Sequence, residues 1–227
     1  MLPENNKLIL GAYYYLWYGR PTVSLIGGGI WRWGYTNHSN LGEYNSRDEK
    51  VISQHINWAK ATGIDFFAIC SAHIESWDDI TLRDYYLKHP QSSELKFCLN
   101  YDVIQALNRY QFNIYPSYDF NELYTPTKTK GEKFLEDFEY FTKTYFHLPQ
   151  YLKIDDKPVV ILYNASAFRN VEKYFDKLPP LIFNRRCYLL GRAKSIKKEF
   201  SFFMAKSTQR IVKSDFSGIA SFISKNL

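Results

Sequence analysis

The 227-residue sequence is poor in several things, and each shortage closes off a class of protein. Cysteine is the first. Cys70, Cys98 and Cys187 are few, odd in number and far apart, a pattern that suits neither a disulfide framework nor a metal or redox site. Cys70 and Cys98 lie in apolar runs and read as small buried hydrophobes. A reducing, cytoplasmic setting is expected. Long apolar runs are also missing: nothing reaches the about 18 residues a membrane-spanning helix needs. The first residues carry one basic side chain, Lys7, ahead of their apolar stretch and no small-residue cleavage site, so no secretory leader is expected. No G-x-G-x-x-G turn follows the first strand-like run, and Gly27–Gly29 sits too deep in a loop to serve as one, which leaves a nucleotide fold little support. No cofactor and no metal are expected.

The last shortage is regional. Residues 184–227 hold only two acidic residues, Glu199 and Asp215, against ten basic ones, a net of +8; residues 1–183 hold 19 basic and 21 acidic, a net of −2. All five tryptophans occur at or before Trp77, and Tyr188 is the only tyrosine after residue 183. The basic character of the whole chain therefore belongs to its tail, and the composition changes near Asn184.

What is present is an alternation. KLILGAYYY (7–15) is β-type and aromatic. A Gly-, Asn- and Trp-rich loop over 19–46 follows, then helical spacing over 47–62, opened by Ser46 with Glu49 three residues on and closed by Gly63. IDFFAICSA (64–72) is a continuous apolar run of the kind buried on both faces. A helix over 78–88, an extended LKFCLNYD (95–102) and an irregular aromatic stretch (109–127) come next. After them the pattern gives a helix over 130–146, a strand KPVVILYNAS (157–166) introduced by Asp155-Asp156, and a helix over 167–177. RRCYLLGR (185–192) is a candidate fifth strand. Strands alternating with helices predict a parallel α/β architecture. The long connections after the strands suit a (β/α) barrel, whose site lies at the strands' C-terminal ends.

The segment YYYLWYG (13–19) crowds aromatic rings at the end of the first strand, where flat rings can stack on a sugar's C–H face. With HSNLGEYNSRDEK…ATGIDFF (38–67) and DDKPVVILY (155–163), it resembles glycoside hydrolase family 99, the endo-α-mannosidase and endo-α-mannanase group, over about residues 7–165. The resemblance implies a (β/α)₈ TIM barrel, here about five β/α units over residues 1–191, followed by an atypical basic tail over 192–227. It implies an oligosaccharide or polysaccharide ligand, with α-mannose-containing glycans among the expected ones. Tyr15, Trp17 and Tyr18 would line the cleft; His38, Tyr44, Ser46 and Asp48 would sit on the next loop; Tyr101, Asp102 and Tyr163 would follow later strands. Ser46 and Asp48 read equally well as helix-capping residues. Asp65, inside an apolar run, is either a structural anchor or a site carboxylate.

Two departures from the family pattern follow. Where the family shows an SWWG-like segment this chain has CSAHIESW (70–77), so His73, Glu75 or Trp77 would replace part of that wall. Glycoside cleavage generally needs two carboxyl groups, which the family supplies as two glutamates near an N-E-W-x-E-like segment. Here Glu172 and Glu199 are the only glutamates after residue 140, and FNEL (120–123) falls in the wrong part of the fold to supply Glu122. The expectation is a truncated, glycan-processing relative without that pair. The alternatives are a small active glycosidase using Asp65, Glu75 or Asp102, and a carbohydrate-binding or polysaccharide-biosynthesis-associated protein without hydrolytic activity. The basic residues of the tail follow no recognised nucleic-acid motif, so nucleic acid is not expected as a partner.

Overall fold

The computed structural model describes residues 9–20, 39–71, 73–107, 118–163, 165–185 and 219–221. Five parallel strands form its sheet: β1 (Gly11–Tyr14), β2 (Phe66–Ser71), β3 (Lys96–Asp102), β8 (Lys157–Tyr163) and β10 (Ile182–Arg185). Between β3 and β8 lie three short strands, β4 (Tyr118–Asp119), β5 (Leu123–Thr125) and β6 (Lys128–Thr129); β7 (Lys153–Ile154) and β9 (Phe168–Arg169) flank β8. The sheet runs β10-β8-β3-β2-β1, each parallel strand beside its predecessor in the chain. An open doubly wound sheet reverses direction at a switch point. No reversal occurs among the described residues, which is the order of an arc of a (β/α) barrel. On the other side of β1, β11 (Ile219–Ser221) pairs antiparallel. Those three residues are the part of the basic tail that is described; the 191/192 boundary lies outside the described residues.

Helix α1 (Glu49–Ala61) forms where the apolar spacing predicts it, but its cap differs. Asp48, not Ser46, is the N-cap: its Oδ1 accepts from the Lys50 N–H at 2.8 Å. Ser46 is buried two residues earlier, its N–H held by the Tyr18 carbonyl at 3.0 Å. Gly63 ends the segment at φ +73°, a conformation costly for any residue with a Cβ. Helix α2 (Trp77–Thr81) continues into a wider turn over Leu82–Tyr86, and α3 (Val103–Leu107) follows β3 directly. Helix α4 (Lys130–Phe141) starts at Thr129, whose hydroxyl and the Glu132 side chain satisfy each other's backbone N–H groups.

Two expectations are corrected. The helix over 167–177 shrinks to α5 (Glu172–Phe175), because Phe168–Arg169 pairs with β4 and Asn170 turns at φ +54°. The fifth parallel strand is Ile182–Arg185, which starts three residues ahead of RRCYLLGR and shares only Arg185 with it; its register against Val159–Leu162 crosses the composition change at Asn184. Residues 186–192 lie outside the described residues. Asp155 and Asp156, with φ of +49° and +60°, make the turn that folds β7 back on β8.

The sheet's two faces differ. One carries the helices: Tyr14 meets His55 of α1, Phe67 stacks on Tyr14 at 4.4 Å, and Tyr101 sits edge-on to Phe134, Phe138 and Phe141 of α4. The other is set by register. Tyr13, Ala68 and Cys98 align across it, then Cys70, Asn100 and Ile161, then Asp102 and Tyr163. Gly11 belongs to this face because the Phe66 ring lies 2.2 Å from where its Cβ would stand.

Candidate functional site

The C-terminal ends of β1, β2, β3 and β8 make one rim. At β1 the chain leaves the sheet through Tyr15 and Trp17, both half-buried, with rings stacked at 4.3 Å and 19°. The Trp17 Nε1 is buried and finds no partner among the described residues. Tyr18 and Tyr44 stand behind this pair. They are buried, 5.0 Å apart, and pack with Val51 into a small second cluster.

Trp77 holds the platform in place: its Nε1 donates to the Leu16 carbonyl at 3.0 Å. The Arg47 guanidinium lies 3.4 Å over the Trp77 ring and 4.7 Å from that of Tyr85, and its Nε donates to Thr81 Oγ1 at 3.0 Å. One cation thus joins the loop before α1 to helix α2.

Asp78, one residue past Trp77, is 3% exposed, and its Oδ1 has no hydrogen-bond partner. Burial pushes its carboxyl up to about 7; Arg20 opposes this, while Asp102 and Asp79 add to it. Asp102 closes β3. Its Oδ1 accepts from the Ile104 and Gln105 N–H groups at 3.0 and 3.3 Å, and its Oδ2 from Gln105 Nε2 at 2.9 Å. Burial raises its carboxyl too, against those hydrogen bonds. The buried Cys70 thiol is raised by desolvation and then by Asp102 and Asp78, so these three groups are neighbours at the rim. Asn100, 2% exposed, aligns with Cys70 and leaves its Oδ1 unpartnered. The Tyr118 hydroxyl is also unpartnered, and its acidity is weakened by burial and by Asp102 and Tyr163. Tyr163, half-buried, aligns with Asp102.

Other residues singled out from the sequence stand elsewhere. Asp65 precedes β2, at the opposite end of the sheet from the rim; its Oδ2 accepts from the Leu10 N–H at 2.9 Å, so it anchors β1 to β2. Tyr101 faces α4 and not the rim: it is fully buried, with its hydroxyl donating to Asp137 Oδ2 at 2.7 Å. Glu75 is exposed, at φ +57°, and pairs with Arg83 at 2.6 Å; His73 is exposed in the same loop. Glu122 pairs with Lys130 at 2.5 Å, and Glu172 is exposed at the start of α5. His38 lies outside the described residues. Asp78, Asn100 and Tyr118 were not singled out. Asp78 passes for a first-turn helix charge, whereas Asn100 was visible as one amide in an apolar strand. No group of three or more His, Cys, Asp or Glu suited to a metal occurs among the described residues. Nor does any helix there have the length and apolarity to cross a membrane.

No protein-family model matches the chain, and no curated protein sequence does. Solved structures do match. The glycoside hydrolase family 99 endo-α-mannosidase of Bacteroides thetaiotaomicron, in complex with BIS-TRIS-propane, superposes with a TM-score of 0.55 at 16% identity. The match covers 77% of this chain and 51% of that one. A glycoside hydrolase-like protein matches with a TM-score of 0.52 at 20% identity, over 77% and 50% of the two chains. The chain therefore resembles glycoside hydrolase family 99 in fold, and it spans about half the length of the structures it matches.

Proposed function

We propose that the rim binds an oligosaccharide, with the Tyr15–Trp17 stack as the platform for one sugar ring. The chain would supply the sugar-recognition part of a glycan-processing fold of the endo-α-mannosidase type, on a barrel arc within residues 1–191. The observation that carries this is the stacked pair at a strand's C-terminal end with its indole N–H unpartnered: ring faces for C–H groups beside one free donor for a hydroxyl. An α-mannose-containing glycan is the first candidate, since an endo-α-mannosidase shares the fold. Binding is the property proposed for these residues, because the described rim offers a ring platform and hydrogen-bonding groups.

Titration with linear α-manno-oligosaccharides, followed by tryptophan fluorescence, tests this. Saturable binding is expected, with roughly tenfold weaker affinity in Trp17→Ala. Indifference of affinity to Trp17→Ala and Tyr15→Ala would remove the platform. Release of fluoride from an α-mannosyl fluoride, lost in Asp102→Asn, would favour the small active glycosidase.

A further inference from the structure

Besides the Trp17 Nε1 and the Tyr118 hydroxyl, which can both donate, two side chains at the rim leave a buried acceptor oxygen unpartnered. Asp78 and Asn100 are each almost wholly buried, and each leaves a side-chain oxygen without a partner. Buried polar atoms are nearly always hydrogen-bonded, so a pair of orphans in one place calls for an occupant. Their placement is shared. Asn100 lies between Cys70 of β2 and Ile161 of β8 on the face that bears Asp102, two residues further on. Asp78 is near enough to Cys70 and Asp102 for their charges to act on one another. The Ser71 hydroxyl, also unpartnered, aligns with Tyr101 and so belongs to the helix-bearing face.

We infer that Asp78 and Asn100 form an acceptor-only subsite that takes neighbouring hydroxyls of a neutral sugar and rejects anionic glycans. This deepens the glycan reading above and rests on it. Once Asp78 is ionised, its carboxylate oxygen and the Asn100 carbonyl can only accept, so the ligand must donate. Adjacent hydroxyls of a pyranose offer two donors at normal hydrogen-bond reach. A uronate or sulfate group brings acceptors alone, and it meets the carboxyl of Asp102; Asp79 is already paired with Arg83 at 3.5 Å and accepts from the Tyr140 hydroxyl at 2.9 Å. Among the described groups acting on Asp78, Arg20, from the segment after β1, carries the one positive charge; Cys70 of β2, Asp79 of its own helix and Asp102 of β3 complete the set. Arg20 is exposed to solvent, which screens its charge.

The test is calorimetric titration of the full chain with a neutral manno-oligosaccharide, an oligo-uronate of equal length, and calcium chloride. The neutral sugar is expected to bind at least about tenfold tighter than the uronate. Its affinity should rise from pH 6 to pH 8, because hydroxyls donating to Asp78 favour the ionised form. Asp78→Asn should bring the neutral-to-uronate ratio towards one and flatten the pH profile. Asn100→Ser should weaken the neutral sugar, with the circular-dichroism spectrum unchanged. Equal affinity for both glycans would overturn the inference. So would selectivity and a pH profile that survive Asp78→Asn, or saturable calcium binding abolished by that variant. If Trp17→Ala loses binding while Asp78→Asn and Asn100→Ser change nothing, the platform stands and this subsite falls. If the neutral sugar does not bind, both fall.

Discussion

Tyr101 and Asn100 are consecutive in β3, equally buried, and point to opposite faces. On the helix side the Tyr101 hydroxyl donates to Asp137, whose other oxygen holds Lys133, so these three polar groups answer one another. On the other side Asn100 and its neighbour Asp78 keep oxygens with no answer. Satisfied buried polar groups hold a fold together, whereas unsatisfied ones burden it unless something else completes them. The contrast separates structure from site along a single strand.

The sharpest way to break that contrast is Asp137→Ala. It strands the buried Lys133 ammonium and the Tyr101 hydroxyl, and is expected to cost about 3–5 kcal/mol. In a thermal melt that is a drop of about 10 °C or more. Asp78→Asn should do the opposite. Burial raises the Asp78 carboxyl in the folded chain from 3.8 to about 7. The native state therefore binds the proton more tightly than the unfolded one, and stability falls as pH rises from about 4 to 7. Above pH 7 the variant should melt higher than the parent, by about 5 °C, and near pH 4 the two should coincide; equal melts at pH 8 would show that the carboxylate is solvated. His55 has the reverse sign. Burial lowers it from 6.5 to about 4, so the unfolded chain takes up the proton first and stability declines as pH falls from 6.5 towards 4. His55→Gln should remove that acid-side slope in a melting series. Asp48→Ala should cost about 1 kcal/mol as a lost helix cap, and Ser46→Ala should not reproduce that loss through capping. The smallest effect is expected for Glu75→Gln. Its exposed ion pair with Arg83 contributes under about 1 kcal/mol, so chemical denaturation should scarcely move.

Much of the fold was legible because β2 and β8 are continuous apolar runs and α1 and α4 keep helical spacing. The alternation in β3 already divides Phe97, Leu99 and Tyr101 from Cys98, Asn100 and Asp102. Which set faces the helices is decided by α4, more than 25 residues downstream, and no local pattern carries that. For this reason the sequence alone groups Tyr101 with Asp102 and says nothing of Asn100, whereas the fold turns Tyr101 towards α4. Asp65 looked like an interior carboxylate because the apolar run was read from Ile64; the strand begins at Phe66, which puts Asp65 at its foot. The fifth strand is faint in the sequence for a similar reason: Ile182–Arg185 is four residues long, opens just after Pro179-Pro180, and runs through a change of composition.

The tether formed by Trp77, Leu16 and Arg47 has a thermodynamic consequence. A loop that must be gathered around its ligand loses motional freedom on association, and that loss subtracts from affinity. Here the backbone beside Trp17 is already fastened in the protein alone, before the proposed ligand docks. Docking on the indole should then leave the amide-exchange rates of Leu16 and its neighbours almost unaltered, while cutting the tether with Trp77→Phe should quicken them in the empty protein.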